Sequence, residues 1–361
     1  MSPFERGTPR FLRQGVLLVR STPPVVPLAK GDKILGQRPE RADLQTAQVC
    51  AIRFIGSFVV NLTRRELLTS LAVATVLPQA VGASNPFRLA ICNETFQGWS
   101  FAEMCRGMKK TGYTGVEIAP FTLGDDPASL PAAQRSELRK IMASEGVEYI
   151  GLHAILTVPR GLHVTTADAT VRARSWSYVR QLVDLAADLG DGAIVVFGSG
   201  KQRSTAGGSS VKDATSRFQE GLAEIAPTAK ARGATVLIEA LAPHLSDVVT
   251  TLDEAIAIVK HIGSPAIQTM FDTHNAVKEP QPHGALIKKY ARHIRHVHIN
   301  EMDGRHPGTG TYDFKGVLRA LKELSYRHWV SLEVFDFSAG PETIARDSAR
   351  LVRQWESELA R

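Results

Sequence analysis

Four acid or imidazole side chains stand where an apolar run ends: Val236-Leu-Ile-Glu239, Thr269-Met-Phe-Asp272, His296-Val-His298 and Ser331-Leu-Glu333. Spacings of 33, 26 and 35 residues separate them, about the length of one strand-helix unit each. An ionised carboxylate at the end of a buried strand costs several kcal/mol to desolvate unless something pairs with it. Three carboxylates converging on one axis would also repel each other, and a bound divalent cation resolves that repulsion. Three carboxylates and one imidazole suit Mn²⁺ first, with Mg²⁺, Co²⁺ or Zn²⁺ as alternatives. The plainer account gives each acid a nearby Arg or Lys. It explains one such acid well and four at successive strand ends poorly.

The elements that would carry these residues follow from the pattern of the chain. From Asn85 onward short β-branched or apolar runs alternate with amphipathic helical stretches, as in a parallel α/β fold. The runs are Arg88–Cys92, Gly115–Ile118, Tyr149–His153, Ala193–Phe197, Val236–Glu239, Gln268–Asp272, His296–Ile299 and Val330–Val334. Ser100-Phe-Ala-Glu103 and Thr251-Leu-Asp-Glu254 are capping boxes that open helices, and Gly190, Gly192 and Gly233 close them. Eight strand-helix units in about 275 residues predict a single (β/α)8 TIM barrel. A doubly wound sheet would carry a Gly-rich turn after its first strand, where Ile91-Cys-Asn-Glu-Thr-Phe96 stands instead. In a barrel the C-terminal strand ends gather at one mouth. Those ends also include Asn93, Glu94, Glu117, His153 and Ser199.

With the quartet on these strands, the chain resembles the xylose-isomerase-like TIM barrels of the sugar phosphate isomerase/epimerase superfamily, nearest to the D-tagatose 3-epimerase and hydroxypyruvate isomerase types. Gly151-Leu-His153, Phe271-Asp-Thr-His-Asn275, His296-Val-His298 and Pro307-Gly-Thr-Gly310 carry the likeness, which runs from about Phe87 to Trp355. The resemblance implies a Mn²⁺-type ion held by Glu239, Asp272, His298 and Glu333, chelating a hydroxy-ketone and stabilising its enediolate. It implies further that Glu239 and Glu333 exchange the proton as base and acid. Departures bear on the substrate contacts. Leu245 stands where the epimerases carry a second glutamate, Asn275 where they carry a histidine with His274 one position early, and Arg305 one residue late for their arginine.

Around the quartet, His153, His274, Asn275, Arg305 and Lys201 are the candidate substrate-binding residues. Lys201 and Arg203 in Gly198-Ser-Gly-Lys201-Gln-Arg203 are placed to grip a phosphate or sugar hydroxyls, although the spacing is not that of a P-loop. A mobile solvated loop fits that segment equally. By period two His296 shares the face of His298 one layer deeper in the barrel. Phe96, Trp99 and Phe121 either wall a sugar pocket or pack the core.

The net charge of +7 and pI of about 9.4 invite a nucleic-acid reading. All of the excess lies in residues 1–65, which hold 11 Lys or Arg and four acids, so the rest of the chain balances. Residues 1–58 carry Pro clusters and no sustained period, and read as a disordered or misassigned upstream extension outside the fold. Residues 59–83 carry Arg64-Arg65, the apolar stretch Leu71–Leu77, and Val81 and Ala83 before a cut, the parts of a twin-arginine (Tat) export signal. Residues 84–361 would then be the mature barrel, exported and periplasmic, or cytoplasmic where the leader does not act. No stable membrane anchor is expected, and Cys50, Cys92 and Cys105 make neither a disulfide framework nor a zinc motif.

The leading expectation is therefore a metal-dependent sugar isomerase or epimerase acting on a small-molecule sugar or keto-sugar, with dimers or tetramers expected by analogy. The alternatives are a lyase or dehydratase of a keto-sugar or inosose at the same site, and a non-catalytic sugar-binding barrel. Endonuclease IV shares this fold, but Phe197-Gly-Ser, Asn275 and Pro307-Gly-Thr-Gly310 lack its extra zinc histidines, so no nucleic acid is expected.

Overall fold

A computed structural model of the protein describes residues 86–205 and 208–359. The two leader segments, 1–58 and 59–83, lie outside the described residues. Eight parallel strands close into one barrel, β1 pairing with β8. They are β1 Arg88–Cys92, β2 Gly115–Ile118, β3 Glu148–Leu152, β4 Ile194–Phe197, β5 Thr235–Ile238, β6 Ile267–Asp272, β7 Ile294–Ile299 and β8 Trp329–Leu332. Each strand is followed by a helix: α1 Phe101–Lys110, α2 Ala132–Glu145, α3 Ala169–Leu189, α4 Val211–Ala231, α5 Leu252–Ile262, α6 His283–Tyr290, α7 Phe314–Glu323 and α8 Pro341–Glu358. The fold is a TIM barrel. Among the described residues no helix is long and apolar enough to cross a membrane.

Local chemistry accounts for the helix ends. At α1, Ser100 Oγ accepts from Glu103 N and Glu103 Oε2 accepts from Ser100 N, so the capping box is complete. At α5, Thr251 Oγ1 accepts from Glu254 N, but the Glu254 carboxylate passes the cap and takes Thr250 N at 2.6 Å. The reciprocal arm expected at Thr251 is thus displaced by one residue. Gly146 and Gly263 end α2 and α5 in the left-handed conformation that glycine adopts without strain.

Strand period sorts the core into two layers. Val195, Phe197, Val236, Ile238, Val297, Ile299, Val330 and Leu332 join the helices in the large outer core, while Val196, Leu237 and Met270 form a separate cluster inside the barrel. Ala90, Ile150 and Trp329 pack together as another small cluster. On the inward face the apolar residues give way to polar ones toward the mouth: Ala90, Cys92 and Glu94 on one side, Leu237 then Glu239, Met270 then Asp272, and His296 then His298. Between β2 and β3 the register slips at Val116/Glu117, pairing Glu117 with Gly151. A side chain at Gly151 would collide with the Ile194 carbonyl, so the irregularity needs glycine there.

Candidate active site and metal centre

Strand ends bring Glu239, Asp272, His298 and Glu333 together, one ligand atom of each lying within 4.8 Å of the others. Glu239 and Glu333 sit one residue beyond β5 and β8, Asp272 is the last residue of β6, and His298 lies inside β7 opposite Asp272. All four are buried, His298 completely. The fourth strand contributes room. A Cβ on Gly198 would overlap Glu239 Oε2, so the glycine lets that carboxylate lean over the end of β4.

Second partners hold each group. Asn275 Nδ2 donates to Asp272 Oδ2 at 2.8 Å and to Glu239 Oε1 at 2.9 Å, and its Oδ1 accepts from Ala242 N. The backbone N–H of His274 donates to Asp272 Oδ1 at 2.7 Å. His298 Nε2 lies 3.0 Å from Glu117 Oε2, and the same oxygen lies 2.9 Å from His296 Nε2. His153 Nδ1 lies 2.9 Å from Glu333 Oε1, and its Nε2 lies 3.0 Å from Glu94 Oε2.

Electrostatics divide the acids into two groups. Burial pushes the Glu239 carboxyl well above the usual range, and the neighbouring Glu333 and Asp272 push it further. Asp272 is raised by burial and by Glu333. Burial opposes ionisation of Glu333 as well, but His298 and His153 outweigh it and hold the group low. Glu117 is likewise held low, against its burial, by His298 and His296. The imidazole of His298 moves the other way, raised by Glu117 and Glu333 against its own burial.

The donor set fits a divalent cation. His298 Nδ1 and Glu333 Oε2 are both buried and face each other as an ion pair at 3.0 Å, and neither has any partner besides the other. Because Nε2 is engaged by the Glu117 carboxylate, Nδ1 is the ring atom that faces the cluster, and on losing its proton it would offer a lone pair to a metal, as an outer carboxylate prepares a histidine ligand. Two further oxygens, from Glu239 and Asp272, complete the four-ligand set.

The remaining sequence candidates are placed as follows. His153 has a carboxylate against each ring nitrogen. Asn275 clamps two of the quartet carboxylates. His274 Nδ1 faces the Glu301 carbonyl at 3.3 Å, its ring packing on Phe335 at 4.9 Å and near His244 at 6.2 Å. Arg305 is half-buried on the loop after β7, paired with Asp303, and lines a neighbouring pocket of about 690 Å³ with Glu301 and Tyr312 that includes none of the quartet. Lys201 is exposed on a short turn after β4. Pro307-Gly-Thr-Gly310 wraps the Glu301 carboxylate, which accepts from Gly308 N and Tyr312 N. Phe96 is buried and meets the partly exposed Trp99 edge to face.

Three residues carry more than their sequence context shows. Glu117 and Glu94 stand at strand ends, yet nothing in their neighbours ties them to His298 or His153. Arg203 corrects the reading of its loop as a ligand grip. The guanidinium is fully buried and donates to the carbonyls of Phe197 at 2.7 Å, Glu239 at 2.5 Å and Val249 at 3.4 Å. It braces the chain where Glu239 leaves β5 and faces no solvent. The turn at Lys201–Arg203, which folds the side chain back under the strand ends, is what the sequence does not reveal.

Comparison with known proteins settles the family. The model of the xylose isomerase-like TIM barrels matches residues 105–355. The chain belongs to that family. Within it, the chain is 28% identical over 262 residues to an L-ribulose 3-epimerase of Mesorhizobium japonicum, a match covering 72% of this chain and 84% of the relative. A ketose 3-epimerase of Arthrobacter globiformis is 25% identical, with 69% and 82% covered. Among solved structures, one of an L-ribulose 3-epimerase superposes with a TM-score of 0.65 at 22% identity, covering 76% of this chain and 95% of that one. These xylose isomerase-like relatives are epimerases by name.

Proposed function

We propose that the protein is a divalent-metal-dependent epimerase or isomerase of a ketose or related hydroxy-ketone, with Glu239 and Glu333 as its proton-transferring pair. The observation that carries this reading is the convergence of Glu239, Asp272, His298 and Glu333 in one buried cluster, where His298 Nδ1 and Glu333 Oε2 have no partner besides each other. The relatives named for L-ribulose and ketose epimerisation support a ketose as substrate.

A divalent cation bound there supplies polarisation of the substrate carbonyl, which acidifies the adjoining C–H. Mn²⁺ is our assignment for one imidazole and three carboxylates. Glu239 and Glu333 leave strands three apart around the ring. One carboxylate takes the proton from the carbon next to the carbonyl, and either group returns one. Return by the opposite group inverts that carbon. Asn275 keeps the Glu239 carboxylate in register with Asp272 throughout. We further propose that residues 59–83 export the barrel, so that N-terminal sequencing of the native protein begins at Ser84 or a neighbour.

Incubation of the Mn²⁺-loaded protein with L-ribulose or D-fructose in D₂O tests the reaction. Deuterium at the carbon beside the carbonyl, in an epimer or isomer of unchanged composition, is the expected result. An enone or a dehydrated product points to a lyase instead. No exchange in a panel of ketoses, with Glu239→Gln indistinguishable from the parent, removes the enzyme reading.

A further inference from the structure

The quartet leaves one well-built feature unused: the buried Glu94–His153 pair behind Glu333. We propose that Glu94 and His153 are positioning residues that pin Glu333 Oε1, making Glu333 a one-oxygen metal ligand through Oε2. The inference rests on the metal-binding part of the proposed function.

A carboxylate with two unengaged oxygens next to a divalent cation can chelate through both or swing between them. Here the two oxygens are differentiated. Oε1 is 2.9 Å from His153 Nδ1, while Oε2 faces only His298 Nδ1, itself a quartet member, at 3.0 Å. The His153 ring cannot turn without losing its other contact, Nε2 to Glu94 Oε2 at 3.0 Å. Both contacts are charge-assisted and sit away from water, with Glu94 4%, His153 1% and Glu333 7% exposed. The three residues come from the ends of β1, β3 and β8, so the barrel itself fixes their spacing.

This arrangement also decides what His153 does. With each nitrogen facing a carboxylate it has no atom left for a sugar hydroxyl or a metal-bound water. A second cation among Cys92, Glu94, His153 and Glu333 is the competing explanation, since one potential ligand atom of each lies within 4.8 Å of the others. The Cys92 thiol, however, is 3.9 Å from His153 Nδ1 and lies on the floor of the cluster with Ser331.

The test uses Mn²⁺ alone, with no sugar, so it stands or falls apart from the epimerase reading. Free Mn²⁺ is followed by electron paramagnetic resonance during titration of the metal-free full chain. One Mn²⁺ per chain is expected. His153→Phe should bind it about 10–100-fold more weakly, and Glu94→Gln about 3–10-fold more weakly. His153→Asn, whose amide can replace Nδ1 against Glu333, should recover most of the affinity of the parent. A purely structural histidine would instead lower the melting temperature of all variants without this ordering. Should His153→Phe fail to fold, Glu94→Gln and His153→Asn carry the test. Parental affinity in His153→Phe or Glu94→Gln overturns the proposal, as does binding of two Mn²⁺ per chain that falls to one in Glu94→Gln. Ketose turnover measured separately on the parent reports only on the proposed reaction.

Discussion

The side-chain amide of Asn275 donates to Glu239 Oε1 at 2.9 Å, and its second hydrogen reaches Asp272 Oδ2 at 2.8 Å. One neutral residue thus bridges two buried acids, of which Asp272 pushes the pKa of Glu239 above its usual range. Asn275→Leu removes both donors and leaves the carboxylates free to turn away from the common point. Mn²⁺ affinity should fall about 10–100-fold. Calorimetric titration checks this, and an unchanged affinity would show that Asp272 and Glu239 are held by the metal alone.

Glu117 makes the corresponding test on the other side of the cluster. Its carboxylate accepts from His298 and His296 in a fully buried setting. Glu117→Gln keeps the shape but removes the negative charge that both imidazoles share and sets an amide donor beside them, so the contact that directs His298 Nδ1 inward is weakened. We expect kcat to fall about 10-fold or more with weakened Mn²⁺ binding. Steady-state kinetics at saturating metal separate these effects, because lost affinity alone would be restored by excess Mn²⁺.

Stability should depend on Arg203 more than on any surface charge. Its guanidinium satisfies carbonyls at Phe197, Glu239 and Val249 that no water reaches. Arg203→Met leaves them unpaired and should lower the unfolding free energy by about 2–4 kcal/mol, read from urea denaturation of the metal-free protein. A loss under about 0.5 kcal/mol, the range of an ordinary surface change, would mean that the strand ends hold themselves.

The pH dependence of the metal-free barrel has a definite sign. Glu239 and Asp272 are raised by burial, and His298 and His153 are raised by carboxylates against their burial. Each binds more protons folded than unfolded above its unfolded pKa, so its contribution is lost as pH rises through the folded value. The melting temperature of chelator-treated protein should therefore fall between about pH 6 and about pH 9. Mn²⁺ should flatten that slope and release protons on binding, measurable by calorimetry in two buffers of different ionisation enthalpy. A melting temperature that climbs over this interval contradicts the assignment.

The sequence shows the quartet because an acid closing an apolar run has no ordinary reason to be there. It shows the barrel because Ser100-Glu103, Thr251, Gly190, Gly192 and Gly233 punctuate eight runs of strand length. Other parts are illegible for physical reasons. Glu117 is legible as an acid at a strand end, but its role is not, because its partners His296 and His298 lie 179 and 181 residues away. Glu94 stands in a short helical turn, and only the inward phase of Cys92 two residues earlier hints at its direction. The start of β8 at Trp329 was also hidden, since the aromatic ring is taken up by stacking under Arg88 at 3.9 Å. Arg203 has the composition of a solvated loop and is buried only because the chain turns back beneath it.

Gly198 contributes to the site by what it lacks. Every other strand around the quartet supplies an atom, and β4 supplies a vacant volume the size of one methyl group, into which the carboxylate of the next strand leans. Alanine there would be invisible to a search for lost functional groups, since nothing reactive is removed. It would nonetheless push Glu239 off the shared axis, so the reach of this cluster is set as firmly by an empty position as by the four side chains gathered in it.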